Sequence, residues 1–346
     1  MMKITVVIPT YNTGERIYLL FDSILSQTIG FENIEVIFVD DNSSDENTID
    51  ILKKLETYDN VSAIFLKDNS GFPGRGRNIG LKKAKGDFVI FSDHDDTYNP
   101  DAFQKMYEEI ILNNSDMVIA NFNQLNNGEK IPFDSGIRER IVLDNFKQDL
   151  RIFQIPAAIW VRLFRKEFLI ENDIAFLEGM LCEDVYVSTL GNFKAKNIVY
   201  LPHVYAYNYS IRDSNEDKST IHLRNKKYVE AILDGYLEIC NWLDRNYSDY
   251  GHEIFRKHLT SWLYTIVLSE IDDEDRFDLF KKSQIVFKKY YSDDPVFKGR
   301  YDKLVNYILN DEFKKAVIES RKIAKYQDNM NHKPSLIKRI INKISR

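Results

Sequence analysis

The N-terminal part of the chain alternates short apolar runs with segments of helical periodicity, and this alternation limits the fold more than any other feature. Residues 17, 20, 21, 24 and 25 are apolar at helical spacing, and helices are predicted near residues 46–58 and 75–84. Strands without polar alternation are buried on both faces, which favours a parallel sheet covered by helices. The four apolar, β-branched runs that predict these strands are residues 4–8, 34–39, 61–66 and 87–91.

Polar clusters follow the predicted strands. Ligands bind at the carboxyl ends of the strands in such sheets, so we expect the clusters to meet at one site. Within one of them, Ser43, Ser44 and Asp45 suit the N-cap of the helix that starts at Glu46. The clusters occupy residues 9–12, 40–45, 75–78 and 93–96.

The cluster Asp93-His94-Asp95-Asp96 places three carboxylates directly after a buried strand. Such a strand end delivers hard oxygen ligands to one point, as a Mg²⁺ or Mn²⁺ ion bridging phosphate oxygens requires. A diphosphate substrate is therefore the first hypothesis. A lone Asp-x-Asp is more often a solvated loop or a cap, and Asp96 could instead cap a helix beginning near Pro100.

Two other clusters have the chemistry to bind a nucleotide. The ring of Tyr11 offers a flat partner for a base, and the carboxylate of Asp40 or Asp41 offers an acceptor for an imide N–H. Uracil and thymine fit equally well. Arg77, at the start of a helix, is placed to meet a diphosphate or ribose. The alternatives are an ordinary strand-end aromatic for Tyr11 and a solvated basic turn for Arg77.

Five motifs together make the chain resemble the family-two inverting glycosyltransferases of the bacterial cell-surface polysaccharide or teichoic acid type. The motifs, in the family's order and spacing, are residues 7–12, 26–28, 39–45, 76–81 and 91–96, and the resemblance covers roughly residues 3–214. It implies an α/β fold with a GT-A type, mostly parallel sheet flanked by helices, followed by a smaller all-helical C-terminal region. It also implies a donor site formed by Pro9, Tyr11, Asp40, Asp41, Arg77, Asn78, Asp93 and Arg212.

The same resemblance implies a metal cofactor, Mn²⁺ or Mg²⁺, with Asp95 as the ligand and Asp93 as its partner. His94 replaces the small residue that is usual between them. A side chain between two ligands on an extended segment points away from both, so we expect a surface or acceptor-facing role. His203 and His222 could reach the metal, but a structural role is expected for each.

An inverting sugar transfer needs one general base to take the proton from the attacking hydroxyl. Glu183-Asp184 resembles the family's Glu-Asp motif, which implies that Asp184 is the base and that Glu183 orients the acceptor. Without the resemblance, this pair would simply complement a helix dipole. Trp160 resembles an acceptor-pocket residue and could stack on a sugar or lie in the core. Arg212 is expected to close over the diphosphate.

Composition limits the class of protein. The chain has 346 residues, 44% of them hydrophobic, which is enough for two domains. Only Cys182 and Cys240 occur, and neither a leader peptide nor an apolar run of membrane-spanning length is visible. The default location is therefore the reducing cytoplasm. A net charge of −6 argues against nucleic-acid binding.

We predict a catalytic domain at residues 1–214, a helical domain at 215–330 and a tail helix at 331–346. In the tail, basic residues flank an apolar stripe formed by Leu336, Ile337, Ile340, Ile341 and Ile344. Such a helix could rest on the inner face of an anionic membrane or dock on its own protein or on a second subunit.

The predicted function is metal-dependent, inverting transfer of a hexose or N-acetylhexosamine from a nucleotide sugar to a hydroxyl of a cell-surface glycan, and the resemblance implies that the donor is a UDP-sugar. One alternative is a sugar-1-phosphate nucleotidyltransferase, which would carry a Gly-rich basic loop after its first strand, where residues 9–12 have none. The other is a non-catalytic glycan- or nucleotide-binding module, against which intact Asp93, Asp95 and Asp184 count.

Overall fold

The computed structural model describes residues 2–126, 128–211, 225–291 and 301–331. The chain divides into two compact units, Met1–Lys218 and Ser219–Arg346, of which the first is α/β and the second helical. Arg212, His222, the predicted boundary at residue 214 and the predicted tail after Asn331 lie outside the described residues. The domain limits therefore remain predictions.

The first unit is built on a ten-stranded sheet, counted over the described residues. Its central order is β3-β2-β1-β4-β9-β6-β10-β5, with β7 beside β6 and β8 beside β10. The strands are β1 (Ile4–Thr10), β2 (Ile34–Asp40), β3 (Val61–Phe65), β4 (Phe88–Phe91), β5 (Thr97–Tyr98), β6 (Met117–Asn126), β7 (Glu129–Pro132), β8 (Ile141–Leu143), β9 (Arg162–Arg165) and β10 (Ile198–Ser210).

Helices separate the strands and make up the described part of the second unit. Six lie in the first unit: α1 (Arg16–Leu25), α2 (Glu46–Leu55), α3 (Pro73–Lys83), α4 (Ala102–Leu112), α5 (Lys166–Glu171) and α6 (Glu183–Lys194). The second unit contains α7 (Lys226–Asn246), α8 (Ser248–Val267), α9 (Asp273–Tyr290), α10 (Asp302–Leu309) and α11 (Phe313–Asn331).

The first four strands in the order β3-β2-β1-β4 are parallel, as their uninterrupted apolar runs predict. One helix crosses between each strand and the next in sequence, the connection that parallel strands require. Asp45 caps α2, as predicted, by accepting from the backbone N–H groups of Asn47 and Thr48. The α/β fold with a helical C-terminal region is therefore confirmed.

The other half of the sheet mixes directions. β9 runs antiparallel to both β4 and β6, whereas β10 runs parallel to β6. β7 returns antiparallel along β6 after a turn too short for a crossover helix. The sheet is thus parallel from β3 to β4 and mixed beyond β4.

Helix α3 lies close against β1 because two of its residues lack a side chain. A Cβ atom at Gly80 would lie 2.2 Å from Cγ1 of Val7, and one at Gly76 would lie 3.3 Å from Cβ of Pro9. This close approach places the start of α3, with Arg77, beside the carboxyl ends of β1 and β4.

The second unit has a core of its own. The indole of Trp262 is fully buried and donates to the hydroxyl of Ser283 at 2.7 Å. The guanidinium of Arg276 donates to backbone carbonyls at the end of α8 and just after it, among them that of Ser269 at 3.0 Å. Among the helices that the structure describes, none is both long and apolar enough to span a bilayer.

Candidate active site

Asp40 organises the loops at the ends of β1 and β2. Its side chain is buried and accepts from the backbone N–H of Ser43 at 2.8 Å, from the Ser43 hydroxyl at 2.6 Å and from Thr10 at 3.3 Å. Asn12, in the left-handed region at φ 48°, accepts from the N–H groups of Ser44 and Asp45. Asp40 is 1% exposed whereas Asp41 is half-buried, so Asp41 is the better candidate to face a base.

Asp41 and Tyr11 border the surface between these loops. The Asp41 carboxylate accepts from the N–H groups of Ser70 and Gly71 at 2.9 to 3.0 Å, which fixes the turn that leads into α3. The Tyr11 ring is 49% exposed at the end of β1. An exposed ring beside an ordered carboxylate is the pair that the sequence predicts for a base.

Arg77 connects the two acidic clusters that the sequence analysis identified. Its side chain is 4% exposed, and its guanidinium donates to Asp93 Oδ1 at 2.6 Å through Nη2 and to Glu183 Oε1 through Nη1. The ring of Phe176 packs 5.4 Å from Cζ of this guanidinium. Asp93 and Glu183, remote in sequence, are therefore brought to one site.

Charges around Arg77 offset the effect of its burial. Burial alone lowers the pKa of Arg77, but the negative charges of Asp93, Glu183 and Asp184 raise it overall. Burial raises the pKa of Glu183 to about 7 even though the charge of Arg77 acts in the opposite direction. The site thus holds one buried cation among three carboxyl groups.

Asp184 stands at a strained junction between a loop and α6. Cys182, the residue before Glu183, has φ 62° and ψ 22°, the left-handed region that costs a non-glycine residue about 1 kcal/mol or more. Oδ1 of Asp184 accepts from the N–H of Val185 at 2.7 Å. Burial raises the pKa of this carboxyl, and the charge of Arg77 opposes the rise. A carboxylate with a raised pKa is a better proton acceptor.

The carboxylates after β4 suit a divalent cation held jointly with phosphates. Asp93 and Asp95 are half-exposed, whereas Asp96 is buried and accepts from the N–H of Ser210 at 2.7 Å instead of capping α4. Burial, and then the charges of Asp95 and Asp93, raise the pKa of Asp96 to about 8. Such an excess of negative charge is what a cation relieves.

No group of three metal-binding side chains is present among the described residues. Mg²⁺ is commonly bound by only one or two carboxylates, with water and substrate phosphates completing the shell. Asp93 and Asp95 fit that pattern. They do not form a site that protein ligands alone could close.

Asn78 and Pro9 help to hold the elements around the site together. The Asn78 amide donates to the carbonyl of Phe176 and to Glu178, and it accepts from the Phe176 N–H at 2.8 Å. This clamp holds the segment before Glu183 on α3, while Pro9 packs near Gly76. The amide of Asn78 is thus engaged within the protein, and contact with the donor remains a prediction for both residues.

Trp160 lies in an aromatic cluster near the end of β10. Its ring is 9% exposed, stacks on Tyr207 with centroids 4.3 Å apart and is parallel to Tyr209 at 5.9 Å. Phe122 meets it edge-on. This is the core environment that the sequence left open, so stacking on a sugar stays a prediction. His203 is exposed on β10, and His94 is half-exposed beside Asp93.

Two structural residues escaped the sequence analysis. Arg162 is fully buried at the start of β9, although charged residues are rarely buried. Phe176 packs on Arg77 and is bonded by Asn78. Arg162 could have been suspected, because it interrupts the apolar run of residues 159–164. Nothing in the sequence marks Phe176.

Part of the chain matches a known protein family. Residues 5–162 match the model of Glycosyl transferase family 2. A poly(ribitol-phosphate) beta-glucosyltransferase of Bacillus spizizenii is 30% identical over 234 residues, 67% of this chain and 36% of the relative. The poly(ribitol-phosphate) beta-N-acetylglucosaminyltransferase TarS of Staphylococcus aureus is 29% identical over 241 residues, 70% of this chain and 41% of TarS. This chain thus spans well under two thirds of these relatives.

The fold has solved counterparts. A crystal structure of S. aureus TarS 1-349 in complex with UDP-GlcNAc matches with a TM-score of 0.72 at 22% identity, covering 95% of this chain and 92% of that one. The same TarS region in complex with UDP matches with a TM-score of 0.71. The fold, the family match and the motifs agree: residues 5–162 match Glycosyl transferase family 2, and the chain has the fold of TarS 1-349.

Proposed function

We propose that this chain transfers a sugar from a UDP-sugar to a hydroxyl of a cell-surface polymer, with inversion at the anomeric carbon. The proposal rests on one observation: the guanidinium of Arg77 forms ion pairs with both Asp93 and Glu183. It joins the carboxylates expected at the donor diphosphate to the carboxylates expected at the acceptor hydroxyl. Donor and acceptor chemistry therefore share one site.

The donor would lie across the carboxyl ends of β1, β2 and β4. Tyr11 would contact the base, and Asp41 would accept its imide N–H. UDP-GlcNAc and UDP-glucose are the first donors to test, because TarS has been crystallised with UDP-GlcNAc and the named relatives transfer N-acetylglucosamine or glucose.

Asp184 would accept the proton of the acceptor hydroxyl. The hydroxyl oxygen would attack the anomeric carbon of the sugar while the bond from that carbon to the diphosphate breaks. The raised pKa of Asp184 favours this proton transfer, and Glu183, fixed by Arg77, would border the acceptor. A Mn²⁺ or Mg²⁺ ion held by Asp93 and Asp95 would supply positive charge for the leaving diphosphate. The relatives' names suggest a poly(ribitol phosphate) acceptor.

Donor binding can be tested by thermal unfolding with a panel of nucleotide sugars, each with and without Mn²⁺. A donor present at 100 times its Kd should stabilise the protein by about 2.7 kcal/mol. Asp95→Ala should lose the part of this gain that depends on Mn²⁺, while Asp59→Asn, an exposed change on another loop, should keep it. Equal stabilisation with Mn²⁺ and with excess chelator would remove the metal from the proposal.

Transfer itself is tested by UDP release from the stabilising donor, with water and then with poly(ribitol phosphate) as acceptor. We expect acceleration by the polymer and a β-linked product. A protein that binds UDP-sugars but releases no UDP with either acceptor would be a binding module.

A further inference from the structure

Arg162 is a buried cation that the proposed reaction does not use. Its side chain is fully buried, and the described hydrogen bonds of its guanidinium go to neutral groups and not to a carboxylate. Its Nε atom has no hydrogen-bond partner in the described part of the chain. Burying an unpaired charge costs several kcal/mol. A neutral side chain would avoid that cost, so the presence of a guanidinium at this buried position needs an explanation.

The guanidinium of Arg162 holds two neighbouring segments together. Nη1 donates to Asn192 Oδ1 on α6 at 3.1 Å, and Nη2 donates to the carbonyl of Pro156 at 3.0 Å. The next carbonyl, that of Ala157, accepts from the hydroxyl of Ser188 on α6 at 2.8 Å. The segment at residues 155–158 is thus bonded to β9 on one side and to α6 on the other.

These contacts lie on the face of α6 that carries Asp184. Asp184, Ser188 and Asn192 occupy positions i, i+4 and i+8, which follow one another along a single side of a helix. Two of the three are fixed, Ser188 by the segment at 155–158 and Asn192 by Arg162. The rotation of α6 about its axis, and with it the direction of Asp184, therefore depends on these bonds.

We propose that Arg162 is a positioning residue for the transfer reaction: it fastens α6 to β9 and to the segment at residues 155–158, and so sets the placement of Asp184. The inference rests on the proposed role of Asp184 as base. The charge of Arg162 also acts on Asp184. Burial lowers the pKa of Arg162, and among its neighbours the carboxylate of Asp184 opposes that lowering most. The cation thereby favours the ionised base.

Arg162→Met removes the two Nη donors and the positive charge. Arg162→Lys keeps the charge but replaces the two Nη donors by a single ammonium group. With UDP release from UDP-GlcNAc as the assay, we expect the Met variant to lose about 10-fold or more in kcat, the scale of a misplaced catalytic group. UDP affinity, measured by calorimetry, should stay within about twofold. The Lys variant should recover part of kcat.

The pH profile of kcat distinguishes the loss of the positive charge of Arg162 from a loss of packing alone. The charged groups that act on Asp184 are Arg77 from α3, Glu183 beside it, Asp93 from the loop after β4 and Arg162 from β9. Removing one cation raises the pKa of a carboxyl. The acidic limb of kcat should therefore move to higher pH in Arg162→Met and keep its position in Arg162→Lys.

Arg165→Met is the matched control. Arg165 lies at the other end of β9 and also donates to a backbone carbonyl, that of Ser115 at 3.1 Å, but none of its described bonds reaches α6. We expect kcat to change less than about twofold. If Arg162→Met behaves like Arg165→Met, or loses UDP affinity as much as kcat, the inference is wrong.

Two further measurements keep the inference testable. If Arg162→Met does not fold, Ser188→Ala, which removes only the bond to Ala157, should lower kcat without changing UDP affinity. Hydrogen exchange at the first turn of α6 should speed up in both variants and not in Arg165→Met. Unchanged exchange would overturn the anchoring role. If UDP release is unaffected by Asp184→Asn while exchange behaves as expected, the proposed base is wrong and the anchor is right.

Discussion

At the scale of single residues, the site is dominated by the pairing of one buried arginine with carboxylates. Removing one partner of a buried ion pair leaves an uncompensated charge, which is far more destabilising than breaking an exposed pair. Arg77 and Arg75 allow this difference to be measured within one helix. Arg77 is 4% exposed and pairs with Asp93 and Glu183, whereas Arg75 is 30% exposed and pairs with Asp68.

Arg77→Met should lower the free energy of unfolding by about 3–5 kcal/mol, and Arg75→Met should lower it by much less, because water screens the exposed pair. Urea unfolding of both variants measures the two losses. Adding Glu183→Gln to Arg77→Met should restore part of the loss, because the orphaned carboxylate is then gone. Equal losses for Arg77→Met and Arg75→Met would contradict the buried pairing.

Asp184→Asn should lower turnover by roughly 10²-fold or more, the usual scale for loss of a general base, and leave UDP affinity nearly unchanged. The reason is that Asp184 is assigned to the acceptor proton and not to the donor. UDP release and calorimetry measure the two quantities, with Asp59→Asn as the control. Wild-type turnover in Asp184→Asn would assign the proton to another group.

The raised pKa of Asp184 also predicts how stability depends on pH. Because burial makes the pKa higher in the folded state than in the unfolded state, the group's stabilising contribution is complete below its ordinary pKa, near 4. It is lost as pH rises through the folded pKa. The stability of Asp184→Asn relative to wild type should therefore increase with pH above about 4. A difference that stays constant between pH 4 and 8 would show that the pKa is not raised.

At the scale of elements, the placement of α3 against β1 depends on the absence of a side chain at Gly80. A Cβ atom there would lie 2.2 Å from Val7 Cγ1 and 3.2 Å from Val7 Cβ, and a β-branched side chain in a strand has little freedom to move away. Any larger residue must shift α3, and with it Arg77, away from β1. Gly251 in α8 is the contrasting case, because a Cβ there would make ordinary contacts of 3.7 Å or more.

Gly80→Ala should therefore destabilise the protein by about 1–3 kcal/mol, the range for overpacking. Gly251→Ala should be neutral or stabilising by about 0.5–1 kcal/mol, because alanine is the better helix former. Urea midpoints test both changes. Val7→Ala should offset part of the Gly80→Ala loss, and its failure to do so would show that the contact with β1 is not the cause.

The parallel half of the sheet could be predicted from sequence because its determinants are local. Unbroken apolar runs, the N-cap at Asp45 and the motifs at strand ends each act over a few residues. The mixed half could not, because β9 is short and its direction depends on pairing with β4 and β6. Side-chain partners follow the same division: Arg77 and Asn78 are predicted site residues, but their partners Glu183 and Glu178 lie about a hundred positions away and no local pattern indicates them.

At the scale of the whole molecule, the residues proposed to act on donor and acceptor all fall within the range of the first unit, Met1–Lys218, although Arg212 lies outside the described residues. The helical unit contains its own core around Trp262 but none of the proposed catalytic carboxylates. The named relatives are more than twice as long as the part they share with this chain, so their polymer acceptors could also depend on segments without a counterpart here.

The basic, amphipathic pattern predicted for residues 331–346 can be tested by ending the chain at residue 331. UDP release should persist, because the proposed site lies in the first unit, while sedimentation with anionic vesicles should decrease. Each basic residue near such a surface contributes about 1 kcal/mol, and salt screens the attraction, so 0.5 M salt should abolish the difference. Replacing Lys338, Arg339, Lys343 and Arg346 by Gln in the full chain is the matched control for charge. If both forms bind vesicles equally and only the truncation changes the sedimenting mass, the segment is an oligomer contact and the membrane hypothesis is wrong.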